Sequence, residues 1–197
     1  RTLRLADNEW PTQQQLPGFR EAMIRYALEL QALALRLLPI YALSLNVDPQ
    51  FFAAAFVDPL FRLRMTHYPP SIDRTPEQFG IAPHVDTTFF TLLTQESPGL
   101  CVYSERRACW ISVPMIDGAI IVNSGELLKQ WSNDEFLSAK HFANNARSQA
   151  SRYSIPFFFN ANADYPMACI PSCCGPGRPA KYPTISYQQS QGVVQGE

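Results

Sequence analysis

Apolar residues recur at helical spacing from Phe19 through Met23, Tyr26, Leu30 and Leu33 to Leu37, with Arg20, Glu21, Arg25, Glu29 and Arg36 mostly between them. That spacing predicts a scaffold helix with one buried stripe, packed on a sheet. Pro11 and Pro17 punctuate its entry. Asp48-Pro49 offers an N-cap followed by proline at the first helical position, so a short helix is expected through Phe56, and Asp58-Pro59 reads as a turn. Beyond this point the texture changes. Short apolar, β-branched and aromatic runs cover 61–68, 87–94, 100–103, 109–113, 119–123, 136–141 and 151–159, separated by Pro, Gly, Asn and Asp. These predict strands, with a short helix over Glu126–Trp131 between them. A series of short strands of this kind suggests a sandwich or barrel. The stretch from Cys169 to Pro183 is rich in Pro, Gly and Cys and reads as loop, and no internal repeat is visible.

The candidate chemistry lies in the β-rich part. In Pro83-His84-Val85-Asp86-Thr87-Thr88-Phe89-Phe90 a histidine and an aspartate stand two residues apart in a stretch that reads as strand. Side chains at i and i+2 of a strand share a face. His84 and Asp86 thus supply two members of a 2-His-1-carboxylate triad, which holds non-haem Fe(II) and leaves coordination positions open. The chain has three histidines, and His141 is the candidate third ligand. His67 is adjacent to Tyr68 and opposite to it in strand phase, so a structural role away from the site is expected. Ten residues separate His141 from Arg152, and Ser154 follows, again two apart. A planar guanidinium fork suits a carboxylate, and a neighbouring hydroxyl donates to the same group. Metal ligands beside a carboxylate clamp point to a metal-bound organic acid. The bland readings are a solvent-facing strand pair for His84 and Asp86, a core histidine at 141, and a surface cation at 152.

Composition narrows the class. A length of 197 residues fits one domain with a substantial core, and the hydrophobic fraction of 46% is that of a globular chain. A formal net charge of −1 argues against nucleic acid or an anionic membrane as the main partner. The most apolar stretch, Met23 to Leu45, contains Arg25, Glu29, Arg36 and Pro39, so no spanning helix is expected. The five cysteines are odd in number and irregular in spacing, a poor disulfide framework. Reduced thiols in the cytoplasm are expected. Cys169, Cys173 and Cys174 allow a metal knuckle on paper, but no histidine is near them in sequence.

Several stretches together carry a family resemblance: 62–70 (Arg-Leu-Arg-Met-Thr-His-Tyr-Pro-Pro), 83–86, 110–114 (Trp-Ile-Ser-Val-Pro), 121–126 (Ile-Val-Asn-Ser-Gly-Glu) and 152–158 (Arg-Tyr-Ser-Ile-Pro-Phe-Phe). In order and spacing the chain resembles the Fe(II)/2-oxoglutarate-dependent dioxygenases, in the branch that includes isopenicillin N synthase. The resemblance implies a mainly β double-stranded β-helix, or jelly roll, with flanking α-helices. It implies that His84, Asp86 and His141 bind iron, that Arg152 and Ser154 hold the distal carboxylate of 2-oxoglutarate, and that Tyr68 contacts the cosubstrate. It implies oxidative decarboxylation of 2-oxoglutarate with O2, coupled to oxidation of a small-molecule substrate, in a monomer. Thr66 stands where many relatives have asparagine. Ser124 and Glu126 replace the usual Ile and Asp, and Lys140 and Phe142 replace the Pro and Arg that flank the second histidine in relatives. The resemblance also implies an N-terminal segment preceding the point that matches Arg1. An oxidase of the same fold that does not consume 2-oxoglutarate, and a non-catalytic jelly-roll binding module, are the alternative readings.

Overall fold

In a computed structural model, residues 8–70, 79–144 and 149–193 are described. Helix α1 spans Phe19–Ser44. The strands are β1 (Leu60–Leu63), β2 (Thr66–Tyr68), β3 (Ile81–His84), β4 (Phe90–Gln95), β5 (Leu100–Ser104), β6 (Cys109–Ser112), β7 (Ile121–Ser124), β8 (His141–Ala143) and β9 (Arg152–Asn160). Helix α2 (Glu126–Trp131) lies between β7 and β8, and α3 (Tyr187–Val193) follows β9. Two antiparallel sheets form: β1-β9-β4-β7, with β2 also on β9, and β3-β8-β5-β6. Consecutive strands alternate between the sheets at β3/β4 and β7/β8, as a jelly roll requires.

The larger sheet has two unlike faces, set by the two-residue period of its strands. Phe90 and Leu92 of β4 and Phe157 and Phe159 of β9 point to the outer face, where they pack with α1, α2 and the 3-10 turn Ala53–Phe56. Phe56 stacks on Phe159 at 5.1 Å, Tyr41 on Phe90 at 5.4 Å, and Phe52 meets Trp131 edge-on at 5.2 Å. Each fully buried phenylalanine contributes about 1.5–3 kcal/mol relative to exposure. The other face turns Thr91, Leu93, Ser154 and Phe158 toward the second sheet and lines a cavity.

Four sequence expectations shift. The buried stripe of α1 is Ala27, Leu30, Ala34, Leu38 and Ala42, with Tyr26, Leu33 and Leu37 only partly covered. Alanines, counted as neutral in the pattern, let the helix approach the sheet closely. By length and composition α1 is long and apolar enough to cross a membrane, contrary to expectation. Four residues of its buried stripe, Leu30, Ala34, Leu38 and Ala42, are committed to the core of the larger sheet. Asp48 accepts from the Gln50 amide at 2.7 Å and caps a turn, and the helical residues begin only at Ala53. The expected strand 136–141 instead begins at His141, because Phe136 is drawn to Tyr41 in the outer core at 5.1 Å.

Gly125 couples α2 to the sheet. Its amide donates to Phe89 O at 3.1 Å, and the next two amides, of Glu126 and Leu127, donate to Asp86 O at 2.8 Å and Thr88 O at 3.1 Å. A Cβ at 125 would overlap the Thr88 carbonyl. Gly125→Ala is expected to lose about 1–3 kcal/mol of stability through overpacking. Gly175→Ala, where a Cβ meets nothing within 4 Å, stays within about 0.5 kcal/mol of wild type. Chemical denaturation of the two variants checks this, and equal stabilities would contradict the packing described.

Candidate metal centre and carboxylate clamp

His84 and Asp86 do not sit on one strand. His84 ends β3 in the smaller sheet, and Asp86 lies in the connection that crosses to β4 in the larger one. His141 begins β8 and is paired with His84 across the smaller sheet, where the β3–β8 register shifts. An irregularity of this kind re-aims side chains locally. The two rings lie 4.3 Å apart. His84 Nε2 is 3.6 Å and His141 Nε2 3.8 Å from Asp86 Oδ1. The ligand atoms all fall within 4.8 Å of one another, the one such group of three among the described residues. These spacings suit donors converging on one ion at bond lengths near 2 Å.

Each ligand is oriented by a partner. His84 Nδ1 donates to Ala82 O and His141 Nδ1 to Ala139 O, both at 2.8 Å. Carbonyl oxygens only accept, so both rings carry their proton on Nδ1 and turn the Nε2 lone pair inward. Asp86 is 7% exposed. Its Oδ2 accepts from Thr91 Oγ1 at 2.7 Å and Asn123 Nδ2 at 3.0 Å, which leaves Oδ1 for an ion. Burial alone raises the Asp86 pKa, but the neighbouring His84 ring in its charged form and the hydrogen bond from Thr91 outweigh it and hold the carboxyl below its ordinary value. The pairing with Asp86 raises His84 in turn, against the opposing effect of burial. Thr91 and Asn123 were not singled out in the sequence. Asn123 stood inside the 121–126 motif, and Thr91 shares the inward phase of its strand.

The clamp lies on the larger sheet, on the same cavity of about 170 Å³ that the triad borders. Tyr68 pairs with Arg152 and Thr66 with Ser154 across β2 and β9. Arg152 is 1% exposed. Its Nε donates to Ser97 O at 3.3 Å and its Nη2 to Gln95 Oε1 at 3.0 Å. Tyr68 lies beneath the guanidinium at 4.7 Å and is itself buried, which makes it a floor for the clamp. Arg152 Nη1 is buried without a hydrogen-bond partner, as is Thr66 Oγ1. No carboxylate among the described residues pairs with this cation. Gly99, at φ 145°, makes room for it, since a Cβ there would lie 2.7 Å from Arg152 Nε. His67 points outward, stacked on Tyr153 at 4.6 Å and bonded to Ser151 Oγ at 2.9 Å. Among the described residues the five cysteines are free, and Cys169 is pushed up to about 12, first by burial and then by its Cys174 neighbour. They form no metal knuckle with the described residues.

Residues 58–161 match the model of the 2OG-Fe(II) oxygenase superfamily. The chain belongs to that superfamily. The 2-oxoglutarate-Fe(II) type oxidoreductase hxnY of Emericella nidulans is 36% identical over 202 residues, covering 96% of this chain and 58% of that protein. Among solved structures, a full-length Neurospora crassa protein in complex with alpha-KG superimposes with a TM-score of 0.88 at 29% identity, over 100% of this chain and 64% of that one. JOX2, solved with 2OG, Fe and JA, has a TM-score of 0.82 at 27% identity, over 94% of this chain and 54% of that one. The chain thus spans between half and two thirds of these relatives' lengths.

If the three side chains form the metal site, Asp86→Ala abolishes Mn(II) or Fe(II) binding, because the one anionic ligand is lost. His67→Ala leaves it intact. Anaerobic calorimetric titration measures both, and equal loss in the two variants would refute the ligand set.

Proposed function

We propose that this protein is an oxygenase dependent on Fe(II), 2-oxoglutarate and O2 that oxidises a small molecule. The observation that carries this reading is the buried Arg152 without a counter-ion. A desolvated cation is costly unless an anion or further hydrogen bonds compensate it, and its free Nη1 marks where a carboxylate oxygen would be received. The metal triad borders the same cavity. His84, Asp86 and His141 would hold Fe(II), and Arg152 with Ser154 and Thr66 would take the distal carboxylate of 2-oxoglutarate. Iron with bound 2-oxoglutarate supplies the oxidising power when O2 reacts there. The protein's own part is orientation, and it is done by rigid groups. Asp86 offsets the metal's charge through one oxygen while Thr91 and Asn123 fix the other. Arg152 sets the direction in which a keto acid enters the site.

The molecules bound to the relatives support a small molecule as substrate: the Neurospora protein is solved with thymine and JOX2 with JA. The triad and the clamp border one cavity within this chain, and a monomer is proposed as the working unit. The free thiols fit a reducing compartment, and we place the protein in the cytoplasm on that ground.

Arg152→Lys is the direct test. Lysine keeps the charge and loses the two-point fork. Loss of one charge-assisted bond of about 1.5–3 kcal/mol weakens 2-oxoglutarate about 10- to 150-fold. Metal affinity stays unchanged. Pyruvate, which lacks the distal carboxylate, binds weakly to both forms and equally. Titration of the Mn(II) form under argon with both acids reads this out. If both acids weakened alike, Arg152 would be shaping the fold, and the cosubstrate assignment would fall.

A further inference from the structure

A second arginine, the solvent-exposed Arg64, lines the same cavity. On the β1–β2 side the even-numbered residues face inward. Tyr68 stands opposite Arg152 and Thr66 opposite Ser154, and the Arg64 amide donates to Pro156 O at 3.0 Å. Arg64 therefore sits one step further along the same ladder, in the break between β1 and β2. Four residues of extended chain separate it from Tyr68, about 13 Å at the strand rise. The two guanidinium groups thus belong to opposite ends of the cavity.

The far end is the metal's end. Phe158 pairs with Thr91, and Thr91 pairs with Asn123, the two residues that hold Asp86. The Arg64 guanidinium lies over the Phe158 ring at 5.2 Å. Arg64 and His84 line the same cavity. No hydrogen bond or ion pair of the Arg64 side chain occurs among the described residues, so its donors are available. An arginine stacked on an aromatic face keeps its fork edge-on to a ligand. Apolar residues of the cavity wall include Leu93, Leu100, Val102 and Ile121.

Resting on the function proposed above, we propose that Arg64 anchors the molecule to be oxidised, and that this substrate is a small organic acid whose carboxylate pairs with Arg64 while its apolar body lies along the cavity wall near the metal. A neutral molecule of the same shape forgoes that charge-assisted pairing and binds more weakly. Arg152 and Arg64 then divide two acids between two ends of one cavity, and the metal lies at the end that holds the substrate.

The test uses phenylacetate and its neutral isostere phenylacetamide as probes. Each is titrated calorimetrically into the Mn(II)-loaded protein at saturating 2-oxoglutarate, and broadening of the probe's ring protons by Mn(II) reports proximity to the metal. Phenylacetate is expected to bind with broadened ring protons, at least about 10-fold tighter than the amide. In Arg64→Gln and Arg64→Ala its affinity falls about 10- to 100-fold, whereas the amide and 2-oxoglutarate itself are unaffected. Equal binding of acid and amide to wild type, or no binding of the acid, overturns the assignment. So does an acid affinity that the variants leave unchanged. Loss of 2-oxoglutarate affinity in the variants also overturns it, since Arg64 would then hold the cosubstrate. Failure of wild type to bind 2-oxoglutarate at all overturns the oxygenase reading itself, and is told apart by the titration without probe.

Discussion

The burial of a charged carboxylate at Asp86 is the constraint on which the site depends. A carboxylate removed from water is stable only if nearly all of its acceptor sites are answered. Here the donors to one oxygen come from separate elements, Thr91 from β4 and Asn123 from β7, and the other oxygen faces the imidazoles of β3 and β8, with which an ion would be shared. The backbone beneath it is held as firmly, because the first amides of α2 donate to the carbonyls of Asp86 and Thr88. The connection that crosses between the sheets is thereby fixed at the one point where a ligand must be placed. The two sheets meet at this carboxylate, so fold and site impose the same geometry.

The period of β9 performs a second division of labour. Its odd-numbered phenylalanines, Phe157 and Phe159, fill the core under α1, and its even-numbered residues, from Arg152 to Phe158, form the cavity floor. One strand therefore anchors the domain core and carries a polar clamp at one end and an aromatic wall at the other. A one-residue slip would bury the wrong set on both faces. The ten paired positions that bind β9 to β4 and β1, together with its pairing to β2, hold that register against slippage.

Much of this was legible in the chain. Strand phase placed Arg152 and Ser154 on one face and turned His67 away from Tyr68, as the structure has them. The ordered motifs brought out the three residues that cluster as candidate ligands. What was misread has local causes. His84 and Asp86 looked like neighbours on one strand because residue spacing does not show where a strand leaves one sheet for another. The start of β8 was misplaced because Phe136 carries a strong β signal and is used by the core. Thr91 and Asn123 were overlooked because their role is to bond a ligand, and hydroxyl and amide side chains in strands give no distinguishing pattern. The alanine face of α1 was invisible to a count of large apolar residues. Arg64 looked like any other cation until the pairing of β1 and β2 with β9 placed it on the cavity.

The central claim is that one cavity presents a three-ligand metal site and a carboxylate clamp to the same keto acid. Absorption of the anaerobic Fe(II) protein on addition of 2-oxoglutarate tests it most directly. The account predicts a weak visible metal-to-ligand charge-transfer band that saturates with the keto acid, because the acid must be gripped at its far end while its keto group meets iron. A protein that remains folded, binds Fe(II) and develops no such band at saturating 2-oxoglutarate would contradict it.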